Sequence, residues 1–132
     1  MKLLIILGIF SISVQSQVNL LNCDSLIYEV PRVSLFVEFM PALIGGLDSL
    51  QSRLIYPKHA KEINIEGKVY VWVMIDSIGN QICATVIKSL GYGCDEEALR
   101  LVTSSKFEPG ILRQKSYTMP ISIPVVFSLN DN

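Results

Sequence analysis

The sequence of 132 residues has one histidine, three cysteines and no surplus of positive charge, with 11 Lys and Arg against 12 Asp and Glu. Each shortage excludes a class of function. The near-neutral balance leaves no basic face for nucleic acid. His59, Cys23, Cys83 and Cys94 are scattered along the chain, and a structural zinc site needs four close-spaced ligands, so neither a metal nor a cofactor is expected. No apolar run reaches the ~20 residues that span a bilayer; the longest, Leu3 to Ile12, is about half that length. Gly91-Tyr92-Gly93 lacks the further glycines and the lysine of a phosphate loop.

A catalytic constellation is equally hard to find. His59 stands beside Lys58 and near Lys61 on a predicted surface turn, far in sequence from Cys83 and Cys94, and reads as solvated. Asp95-Glu96-Glu97 is accounted for by a helix start, with Asp95 as the cap and both glutamates near the positive end of the helix dipole. Tyr70 and Trp72 read as cover for a sheet, a carbohydrate or peptide platform being the alternative. No base stands beside either later cysteine. The expectation is a protein that is not an enzyme.

What is present begins with Met1-Lys2, an apolar core and Ser13-Val14-Gln15-Ser16, the form of an export signal over residues 1–16 with cleavage after Ser16. Residues 17–36 have no clear period and read as an N-terminal arm, with one domain over 37–132. No stable membrane span is expected after cleavage. Export invites a disulfide. However, the run from Cys83 to Leu90, if extended, covers roughly 23 Å. Buried free thiols are therefore expected at Cys83 and Cys94, with Cys23 open as a partner for either.

Periodicity then places the elements. Arg32 to Phe39 reads as a short strand, and Leu47, Leu50 and Leu54 recur at helical spacing, with another turn or two at Lys58 to Ile63. Val69, Val71, Val73 and Ile75 alternate with Tyr70, Trp72 and Met74, both faces being apolar, as in a central strand. Asp76 to Asn80 is a turn, and Gln81 to Ser89 is the hairpin partner, with Ile82, Ala84 and Val86 inward. A helix follows Asp95, with Ala98, Leu101, Val102 and Ser105 in one stripe. If that helix crosses over, the last strand lands beside the first. The expected fold is α+β: a small antiparallel three-stranded sheet of order 2-1-3, with helices on one face.

The last strand, Ser116 to Leu129, carries the most information. Its odd positions from Tyr117 to Leu129 are all apolar, so they face a core. Pro120 and Pro124 share parity, and both missing donors therefore fall on one edge. That places the odd residues' hydrogen bonds inward and leaves the edge of the even residues free. The prolines either blunt the edge against aggregation or mark an edge that accepts a partner's strand.

Taken in order, Val37-Glu38 with Met40-Pro41, Gly45-Gly46, Tyr56-Pro57, Ile65-Glu66-Gly67-Lys68-Val69 and Ile75-Asp76 with Gly79 make a pattern. It continues through Gly93-Cys94-Asp95-Glu96-Glu97-Ala98-Leu99, Phe107-Glu108-Pro109-Gly110 and Pro124-Val125-Val126-Phe127. The pattern resembles the C-terminal domain of TonB-family energy transducers. The resemblance implies a periplasmic domain that adds a short extended peptide, the TonB box of an outer-membrane TonB-dependent transporter, to the edge of its last strand. On this chain the implied partner-facing residues are Ser122, Val126 and Ser128, which keep their donors, and Thr118, Pro120 and Pro124, which offer carbonyls. Full-length transducers also carry a membrane anchor and a proline-rich spacer. This sequence displays neither, so the expectation is a binding module that does not transmit force alone. The alternatives are an adaptor for another envelope protein and a homodimer paired through the same edge.

Overall fold

A computed structural model describes Cys23 and residues 38–130. The export signal at 1–16, most of the arm, the domain boundary at residue 37 and most of the strand expected at 32–39 lie outside the described residues. The described chain runs β1 (Ala42–Leu43), α1 (Gly46–Ser52), α2 (Lys58–Glu62), β2 (Gly67–Ile75), β3 (Gln81–Lys88), α3 (Cys94–Thr103), β4 (Phe107–Glu108), β5 (Gly110–Leu112), β6 (Lys115–Tyr117) and β7 (Met119–Phe127).

The alternation of β2 decides the architecture. Val69, Val71, Val73 and Ile75 are fully buried and share one cluster with Cys94, Ala98, Leu101 and Val102 of α3. Burying such side chains is worth about 1.5–3 kcal/mol each, so this row holds β2 at the centre. β3 and β7 flank it in the order β3-β2-β7, and both pairings are antiparallel, as the pattern predicted. Leu50 of α1 and Ala60 of α2 complete the same core. Tyr56, between those helices, meets Phe127 edge to face at 5.6 Å and donates its hydroxyl to Ile65 O.

Several local expectations are corrected. The inward row of β3 is Ala84 and Val86 without Ile82, because a bulge pairs Met74 with Cys83 and Ile75 with Gln81. Ile82 is the unopposed residue and packs on the other face with Met74 and Cys83. Gln81 takes the helix side instead, where its Nε2 donates to Val102 O (2.9 Å), Thr103 O (3.3 Å) and Ser105 O (2.9 Å), closing the end of α3.

Asp95 is not the cap of α3. That position belongs to Gly93, at φ 85°, and Asp95 lies in the first turn. From there its Oδ1 accepts from Leu90 N (2.9 Å) and Gly91 N (3.2 Å), and its Oδ2 accepts from Ser89 Oγ.

Cys83 is not a free thiol. It is bonded to Cys23, while Cys94 is free and buried. Alternation accounts for the choice: Cys83 lies opposite Met74 on one face of the sheet, whereas Cys94 opens the helix on the other face.

The long last strand is two pieces. Ser116 and Tyr117 end β6, which pairs with β5 around Arg113 and Gln114, both in the left-handed region. β7 then begins at Met119, and a further short ladder joins β1 to β4. The Asp76 to Asn80 turn lies against β4, where a Cβ on Gly79 (φ 91°) would stand 2.5 Å from Phe107 O.

Candidate functional site

The outer edge of β7 is the candidate site. Among the described residues β7 has one strand neighbour, β2, and no strand lies on its other side. Val126 gives the direction of its backbone groups. Its N–H donates to Gln51 Oε1 at 2.8 Å, and its C=O accepts from Gln51 Nε2 at 2.9 Å. Both groups therefore point away from β2. Along an antiparallel strand this orientation repeats every second residue, so Pro120, Ser122 and Pro124 turn their backbone groups outward as well. Neither proline removes a bond to β2.

The expected site residues divide accordingly. Pro120, Ser122, Pro124 and Val126 lie within β7, whereas Thr118 precedes it and Ser128 follows it. Ser122 is exposed and offers both a donor and an acceptor; each proline offers only a carbonyl. Their side chains share the face of Tyr70, Trp72 and Met74, which lie opposite Pro124, Ser122 and Pro120. Val126 differs from the other three in being already partnered. Beyond it, Leu129 N donates to Glu66 Oε1 at 2.7 Å, securing the chain past the strand.

Gln51 was not singled out in the sequence. It sits on α1, 75 positions from Val126, and no local pattern distinguishes it from any other polar residue on that helix. Its place is fixed by the neighbouring Leu50, which is fully buried, and by links from the residues after α1 to α3 and to Ser105 just beyond it. Arg53 Nη2 donates to Ser105 Oγ at 2.7 Å, Arg100 Nη2 to Arg53 O at 3.1 Å, and Ile55 N to Glu97 Oε1 at 2.8 Å.

The other residues weighed from the sequence form no reactive group. His59 is exposed on α2 with its ring 5.9 Å from that of Tyr92. Burial pushes the Cys94 thiol pKa up, and Asp95 and Glu96 push it further, disfavouring the thiolate. Burial would also raise Glu97, but the hydrogen bonds from Arg100 and Ile55 and the Arg100 charge outweigh it and hold the carboxyl below its usual range. Asp95 is likewise held low, its three hydrogen bonds outweighing burial. These acids join α3 to its neighbours. No cluster of metal-ligating side chains and no helix long and apolar enough to cross a membrane occurs among the described residues.

Comparison with known proteins gives two matches and one negative result. The family described as Gram-negative bacterial TonB protein C-terminal matches residues 52–129. The protein named "Protein TonB" of Vibrio cholerae serotype O1 is 36% identical over 90 residues, which is 67% of this chain and 35% of that protein. The chain thus spans about a third of the length of that curated relative. No solved structure matches. With the family match covering more than half of its length and every strand of the central sheet, the chain belongs to the family of Gram-negative bacterial TonB protein C-terminal domains.

Proposed function

We propose that this chain is a periplasmic binding module, without catalytic activity, that captures an extended peptide by strand addition to the outer edge of β7. The partner is the TonB-box segment of an outer-membrane TonB-dependent transporter, and the context is energy-dependent transport across the outer membrane. Family membership supports the context. The export signal read at residues 1–16 agrees with the compartment. One structural observation carries the binding mode: the outward-turned backbone of Val126 is already read by a carboxamide, the same chemistry that a guest strand would present.

The site residues in this reading are Pro120, Ser122, Pro124 and Val126, with Thr118 and Ser128 at the two ends of the ladder. Two missing donors at about 1 kcal/mol each weaken a guest ladder without abolishing it. The test is amide-resolved titration of the chain from Gln17 onward with a synthetic TonB-box peptide. Shifts should concentrate at Ser122 and its neighbours, and Ser122→Pro should abolish them while leaving the fold intact. Shifts centred on any other surface would refute the reading.

A further inference from the structure

The contact between Gln51 and Val126 has a consequence for how the edge is used. A glutamine side chain carries the donor and acceptor of a peptide group, and here both are spent on one residue of an edge that has no strand neighbour among the described residues. With Gln51 in place, Ser122 supplies the one outward backbone donor of β7 that remains for a guest, since Pro120 and Pro124 have none and Val126 is engaged. If Gln51 leaves, two more bonds become available at Val126. The amide has to turn away before a guest can pair at Val126, but α1 is anchored by Leu50 and by the Arg53, Arg100 and Glu97 links, so the amide stays close and competes for re-entry.

We propose that Gln51 is a displaceable edge cap, standing in for a strand at Val126 and setting the register and minimum length of a guest. This rests on the strand-addition reading. A guest that ends opposite Pro124 docks without disturbing Gln51 and gains nothing from its removal. A guest that reaches Val126 must evict the amide, and so binds more weakly than its number of contacts implies.

The test uses the chain from Gln17 onward and two synthetic TonB-box peptides, a longer one that spans Pro120 to Val126 and a shorter one that ends opposite Pro124. Without peptide, the Val126 amide should be protected from hydrogen exchange. In Gln51→Ala it should exchange as readily as Ser122. Gln51→Ala should then tighten the longer peptide about tenfold, the scale of a small net hydrogen-bond gain, and leave the shorter one unchanged. Gln51→Met keeps the side chain's bulk but has no amide to pair with Val126, and should tighten the longer peptide in the same direction.

Unaltered Val126 exchange in both variants would overturn the cap. So would unchanged or weaker binding of the longer peptide when both peptides still shift Ser122. If neither peptide shifts Ser122 in any form of the protein, strand addition itself fails and the cap falls with it.

Discussion

The sulfurs of Cys23 and Cys83 are bonded, with Cα atoms 5.4 Å apart, and both side chains are sealed from solvent beside Met74, Trp72 and Ile82. The bond joins positions 60 residues apart and ties residue 23 to the sheet face opposite α3. Closing a loop of that size restricts the unfolded chain, and a native disulfide of this kind contributes about 2–4 kcal/mol. Cys83→Ala should therefore lower the urea midpoint. A reductant should lower the wild type to match and leave the variant where it is. A water-soluble maleimide should not label Cys94 in the folded protein and should label it after unfolding, because its thiol is buried and its thiolate is disfavoured.

The stability of the α3 entry should depend on pH through Asp95. Its carboxyl is held below the ordinary range of ~3.9 by Ser89, Leu90 and Gly91 despite burial. A depressed folded-state pKa contributes stability that is fully present above the unfolded value and is lost as pH falls through the folded one. Glu97, held low by Arg100 and Ile55 despite burial, adds to the same trend. Urea unfolding measured from neutral pH down to about pH 2 should lose stability at the acid end. Asp95→Asn should flatten that loss, and cost about 1–2 kcal/mol at neutral pH from weakened hydrogen bonds.

Gly79→Ala tests how closely the β2–β3 turn lies against β4. The position needs a positive φ of 91°, and the added carbon would meet Phe107 O at 2.5 Å. The backbone penalty alone is about 1–2 kcal/mol, and the contact with a carbonyl oxygen adds to it. Thermal unfolding should detect a loss larger than that penalty. A loss confined to it would mean that the turn shifts freely.

Leu101 is fully buried under α3, in the cluster that includes β2 and β7. Leu101→Ala should cost about 2–5 kcal/mol in urea unfolding. Because Leu101 does not touch the Gln51–Val126 pair through any hydrogen bond, residual folded protein should retain the protected Val126 amide.

Much of the central sheet was legible because its signals are local. The buried row Val69, Val71, Val73 and Ile75, the stripe Ala98, Leu101 and Val102, and the odd residues of β7 follow from side-chain period alone. The misread positions each depend on a backbone path that side-chain period does not record. Ile82 changed faces because of a bulge. Asp95 turned back to the loop before it instead of capping its helix. Thr118 interrupts the last strand, where a separate hairpin around Arg113 and Gln114 takes Ser116 and Tyr117.

By itself the sequence determined the parity of β7: alternate side chains point to opposite faces, and a proline has no N–H to give wherever it sits. It equally determined that one edge would carry both of those losses. Only the tertiary structure decided what stands beside that edge, because Gln51 and Val126, 75 positions apart, meet only in the folded chain, as do Cys23 and Cys83. A backbone group's direction is a property of the chain next to it, whereas its partner is whatever the folded core carries into reach.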